Sequence, residues 1–92
     1  MTRAPHAPYL PPPWYRDEFQ GIKSPRSFGS YNHTTEGKPA WMSTNLPLDR
    51  KDEDHFDEVM RLRWGALLAV DDLVEGVVGA LASTGVLATT FV

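Results

Sequence analysis

His6 is the one histidine in the sequence set within a proline-stiffened track, "RAPHAPYLPPPWY" over residues 3–15. Each proline locks its own φ and pushes the preceding residue toward extended geometry. Ala4-Pro5 and Ala7-Pro8 therefore hold His6 on a semi-rigid, non-helical run. An imidazole held this way either serves proton or charge chemistry or is a solvated residue in a linker. Asp71-Asp72 offers two carboxylates side by side, but adjacent helical side chains point roughly 100° apart and do not converge on one ion. The expectation there is one solvated carboxylate and one bonded to a neighbouring loop. "DRKDEDHFDE" at residues 49–58 has the charge of a calcium loop without its turn glycine or alternating ligand spacing. It reads as a helix start, with His55 exposed. His6, His33 and His55 share no metal-ligand spacing, so no metal site is expected on this chain. The chain has no cysteine, which excludes disulfides, thiolate metal sites and a cysteine nucleophile. Asn32-His33-Thr34 fits the glycosylation triplet, making Asn32 a glycosylation candidate. Trp14-Tyr15 and Trp41 lie beside loop prolines, where they either staple the loop or stack on a sugar.

These residues must be positioned by two unlike halves. All eight prolines fall between residues 5 and 47. With Gly21, Gly29 and Gly37 they make residues 1–48 a run of turns and extended pieces, with one short helical turn around 15–20. In residues 49–92 apolar side chains recur at intervals of three and four, among them Phe56, Met60, Trp64, Leu67, Leu73, Val77 and Leu81. That spacing predicts one long amphipathic helix at about 52–82. Acidic residues at its start favour the helix dipole, and Gly85 suits a left-handed C-terminal cap. Gly65, Gly76 and Gly79 each cost about 1 kcal/mol in a helix interior, which points to close packing against another element. After Gly85, "VLATTFV" reads as a turn and then a strand beginning at about 89–92. The chain stops inside that strand, so its end reads as cut rather than finished.

Ninety-two residues make one small domain at most. Residues 1–48 carry five Lys/Arg against three acids, whereas residues 49–92 carry four against nine. Neither half has the dense basic stripe of a nucleic-acid binder. No apolar leader is visible at the N-terminus, and Asp71, Asp72 and Glu75 interrupt the apolar run that follows Trp64, which argues against a membrane span.

"APHAPYLPPPWY", "SPRSFGSYNHT", "GKPAWM" and "RLRWGALLAVDDLVEGVVGALASTGVLATTFV" occur in that order. Together they resemble an internal segment of the sulfatases, most closely the N-acetylglucosamine-6-sulfatase branch, from about Ala4 to Val92. The resemblance implies an α/β fold: a piece of an alkaline-phosphatase-like catalytic domain whose large mixed sheet the helix covers. It implies a parent that hydrolyses sulfate esters of a sulfated sugar or an aryl sulfate, uses calcium and is secreted or lysosomal. In that family a Cys/Ser-x-Pro-x-Arg motif supplies the formylglycine nucleophile, and Ser24-Pro25-Arg26 lacks its spacers. The family's metal ligands lie outside these residues, so no catalytic set is complete here. One substrate-binding residue does fall inside, because the family's Ala-Pro-His-x-Pro histidine, which reaches the sulfate, corresponds to His6. A fixed N–H there stabilises charge building on the sulfate oxygens or protonates the leaving group.

The chain alone is therefore expected to be inactive, the product of a truncated gene model, a split gene or a decayed copy. Its bare helix face is expected to drive self-association. The alternative reading is a small proline-rich, helical adaptor that docks its helix into a protein partner.

Overall fold

The computed structural model describes residues 3–44 and 47–91. One α-helix, α1, runs from Arg50 to Ser83, flanked by 3-10 turns at Pro13–Tyr15 and Leu87–Thr89. The helix thus begins two residues before the 52 expected from periodicity, because its cap is stronger than the dipole argument alone implies. Asp49 accepts from the Asp52 amide at 2.9 Å, and the Asp52 side chain accepts from the Asp49 amide at 3.1 Å. This reciprocal capping box satisfies two donors that would otherwise be orphaned. At the other end Gly85 has φ +74, donates to Ala82 O at 3.1 Å, and Val86 donates to Leu81 O at 3.1 Å. That pair of bonds is the Schellman closure, which needs a left-handed residue where Gly85 stands.

The N-terminal half makes two passes along α1. On the outward pass Pro5 borders a cleft whose helix side includes Val59, Met60, Arg63 and Trp64, and Pro11 and Tyr15 press on Gly65. A Cβ on Gly65 would stand 2.6 Å from Tyr15 O and 3.1 Å from Pro11 Cβ, so only glycine admits this close approach. Gly76 and Gly79 have nothing within 4 Å of the same position. Of the three helical glycines, Gly65 alone is packed against a neighbour. The pass ends where Tyr15 OH reaches Asp72, at 2.9 Å to each carboxylate oxygen. The chain then turns back toward the helix start. Phe19 meets Trp64 edge-on with ring centroids 5.4 Å apart, Arg61 donates to Ile22 O at 3.0 Å, and Ser24 reaches Asp57.

Two expectations fail. The strand expected at 89–92 does not form among the described residues: Thr89 closes the 3-10 turn, Thr90 is extended but carries no ladder bond, and Val92 lies outside the described residues. The backbone bonds of this segment go to local carbonyls, Thr89 N to Val86 O and Thr90 N to Leu87 O, and both threonine hydroxyls fold back on Val86 O. A strand needs a neighbour for its ladder, and none is at hand, so local acceptors win. The short helical turn expected at 15–20 sits earlier, at Pro13–Tyr15, where Pro13 takes the first helical position. The architecture is one long helix with loops. The α/β sheet is not seen among the described residues.

This packing leaves much apolar surface open. Ala66 is the buried apolar residue among those described, while Leu73, Val74 and Val77 are each about half exposed. The chain exposes 7607 Å², against about 5,400 Å² for a compact monomer of its size. Its radius of gyration is 19.5 Å, against about 12 Å for a globular domain.

Candidate functional site

His6 lies on the loop over residues 3–9 and is exposed. The loop closes through His6 N donating to Arg3 O at 2.7 Å and Tyr9 N donating to His6 O at 3.3 Å. His6 Nδ1 lies 3.1 Å from Ala7 O. Tyr9 has φ +54, a left-handed conformation costly for a bulky side chain, of the sort found where a loop holds a functional geometry. Beside the loop opens a cleft of about 340 Å³ whose lining includes Arg3, His6, Tyr9 and Arg63. His6 is therefore displayed on a braced turn.

Asp72 and the Ser24–Arg26 run serve structure. Asp71 and Asp72 are both exposed, and Asp72 accepts the Tyr15 hydroxyl and so ties down the outward pass, the bond to a neighbouring loop expected of one member of the pair. That hydrogen bond, with burial second, raises the Tyr15 phenol above its ordinary range. Ser24-Pro25-Arg26 forms a clasp on the helix. Asp57 is 4% exposed and accepts at Oδ1 from Ser24 N at 2.8 Å, Ser24 Oγ at 2.6 Å and Arg26 Nη2 at 2.8 Å. The two Ser24 bonds, joined by Arg26, hold the Asp57 carboxyl well below the usual range despite its burial. Arg26 also donates to Glu53 O at 3.1 Å, and its Nε stands 3.5 Å from Glu53 Oε1. Tyr31 OH donates to the same Glu53 oxygen at 2.8 Å. Ser24 thereby fastens its loop to a buried aspartate on the helix.

Asn32, the glycosylation candidate, bridges to the residue before the helix cap. Its Nδ2 donates to Leu48 O at 2.9 Å, and its Oδ1 accepts from Leu48 N at 2.7 Å. His33 lies in a separate surface cleft with Thr34, Lys38 and Met42, and His55 is exposed beside Phe56. Among the described residues no group of three or more His, Cys, Asp or Glu could hold a metal ion. Trp14 and Trp41 are 70% and 72% exposed, so neither staples its loop, and the Phe19–Trp64 contact does that work. No helix among the described residues is long and apolar enough to cross a membrane.

Sequence reasoning missed the Ser24–Arg26–Asp57 clasp. The signal available was Glu53 and Asp57 four residues apart on one helix face, a pair that could have been read as a docking point for a cation.

Comparison with known proteins locates this geometry. The chain is 35% identical over 91 residues, 99% of its length, to the N-acetylglucosamine-6-sulfatase of Homo sapiens, and 34% identical over the same span to that of Bos taurus. It is 33% identical over 88 residues to the arylsulfatase of Volvox carteri. No family model matches the chain, and no solved structure matches it. The chain spans 16% of the length of the two mammalian proteins and 13% of the algal one. With its His6 loop, helix and clasp aligned over nearly its whole length to such proteins, the chain is a sulfatase-family segment.

Proposed function

We propose that these residues form part of a sulfate ester hydrolase and that His6 faces the sulfate group of its substrate, a sulfated sugar such as an N-acetylglucosamine 6-sulfate or an aryl sulfate. The observation that carries the reading is the alignment to sulfatases over 99% of the chain, a span that takes in the His6 loop and Arg63 of α1, which lines the same cleft. Cleavage of a sulfate ester places negative charge on the leaving oxygen and the sulfur-bound oxygens. A preorganised N–H stabilises that charge or delivers a proton.

In this reading the open apolar stripe of α1 covers the sheet of an alkaline-phosphatase-like α/β domain, and Gly76 and Gly79 are small because that layer approaches closely. Left bare, the stripe drives self-association of the isolated chain. Calcium, implied for the family, does not fit the residues described here, which supply no ligand cluster, and no step is routed through it. The 92 residues alone have no turnover, since Ser24 is committed to Asp57 and the sequence has no cysteine. A secreted or lysosomal setting and a glycan on Asn32 belong to the same reading.

The test is a segment exchange, with this chain replacing the matching residues of the human enzyme. The chimera should hydrolyse sulfate esters, and an unrelated helical segment of equal length in its place should not support activity. A chimera that folds and is inert contradicts the reading. So does metal-dependent turnover by the purified 92-residue chain, for the inactivity part.

A further inference from the structure

Arg63 shares the cleft with His6, and the lining of that cleft carries two guanidinium groups, an imidazole and a phenol with no carboxylate. This is unusual in a chain of net charge −3. The helical neighbours of Arg63, three and four residues away, are Val59, Met60, Ala66 and Leu67, so no acid on its own helix face can pair with it. Among the described residues Arg63 makes no ion pair or side-chain hydrogen bond, whereas Arg26 grips Asp57 and Arg61 donates to Ile22 O. Arg63 is thus exposed, charged and unspent beside a braced histidine. From this we infer that Arg63 is a second anion-binding residue. Its guanidinium donates to the non-bridging oxygens of the sulfate monoester that His6 faces and fixes the orientation of the group.

The inference rests on the sulfate-facing reading of His6 and extends it to a residue on the helix. A guanidinium offers planar, paired donors that match two oxygens of a tetrahedral anion, and such charge-assisted bonds are about twice as strong as neutral ones. Placing that donor on α1 makes the helix part of the substrate site.

The experiment is a titration of the isotopically labelled 92-residue chain with sodium sulfate at constant ionic strength. The His6 ring signals and the Arg63 Nε–H signal are followed, with Gly65 and Asp57 amides reporting that each variant keeps its fold. Both signals should move together along one saturating curve. Arg63→Gln should weaken binding roughly tenfold, with Arg63→Lys in between. If His6 saturates and Arg63→Gln titrates like the parent, the Arg63 inference is overturned while the His6 reading stands. If Arg63 saturates and His6→Gln changes nothing, the His6 reading fails and the shared sulfate site is overturned with it. Linear shifts shared with Arg16 and Arg61, or no shift at either residue, overturn both.

Discussion

Asp57 on α1 accepts the guanidinium of Arg26 at 2.8 Å across 31 residues of sequence, and this pair fastens the return pass of the loop half to the helix. Ser24 reinforces it from the same loop through its amide and hydroxyl. The pass it fastens follows directly on the one that carries His6, so both passes depend on the same helix for their placement.

The clasp makes an acid-sensitive contact. The Asp57 carboxyl is depressed in the folded chain and titrates at about 4 when unfolded. Its stabilisation is complete above that unfolded value and erodes as pH falls below it. It is gone once Asp57 protonates in the folded state. Acid unfolding followed by helix circular dichroism should show this limb, and Asp57→Asn should flatten it while lowering stability at neutral pH. An unchanged acid limb in the variant contradicts the assignment.

The helical glycines should respond with opposite signs. Gly65→Ala forces a Cβ against Tyr15 O and should destabilise by about 1–3 kcal/mol, the range for overpacking. Gly76→Ala and Gly79→Ala meet open space and should each stabilise the isolated chain by about 1 kcal/mol through helix propensity. Urea denaturation of the three variants measures this, and a common sign for all three contradicts the packing described.

Tyr15 and Asp72 predict an alkaline counterpart. The bond to Asp72 raises the phenol, so its stabilising effect is full below the unfolded tyrosine value of about 10 and is lost as pH rises through the folded one. Ultraviolet titration of phenolate should show two tyrosines, Tyr15 and Tyr31, ionising late, and Asp72→Asn should return one of them toward the ordinary range. Late ionisation of both tyrosines after the substitution assigns the Tyr15 shift to another cause.

The helix ends should be separable. Asp49→Ala removes the capping box and should cost about 1 kcal/mol. Gly85→Ala places a Cβ at φ +74 and should cost about 1 kcal/mol at the other end. Amide hydrogen exchange should speed up near residue 52 in the first variant and near residue 83 in the second. Exchange that rises at both ends in either variant contradicts independent caps.

The helix was legible because its information is local: the three-four spacing from Phe56 to Leu81, the acid at its head and Gly85 at its tail each act within a turn or two. The His6 run was legible only as non-helical: its prolines act on their own neighbours, but they do not announce the turns closed by His6 N on Arg3 O and Tyr9 N on His6 O. The clasp was not, because Ser24 and Arg26 carry no mark of which distant acid they will meet, and Glu53, Asp57 and Glu58 all competed. The strand at 89–92 failed for the complementary reason. Thr89 and Thr90 favour extended backbone, but a strand is stabilised by a neighbour outside its own sequence. The residue types leave Trp14 and Trp41 open between packing and sugar stacking, because a large aromatic beside prolines is apolar enough for either, and only tertiary structure shows that Phe19 and Trp64 make the packed aromatic pair.

The central claim, that His6 faces the substrate sulfate, is tested most directly by turnover of a sulfate ester in the human N-acetylglucosamine-6-sulfatase carrying this chain in place of its matching residues, with His6 intact and with His6→Ala. The account predicts that the His6→Ala chimera, folded and produced at the same level, loses roughly 100-fold or more in kcat. Activity within twofold of the intact chimera contradicts it.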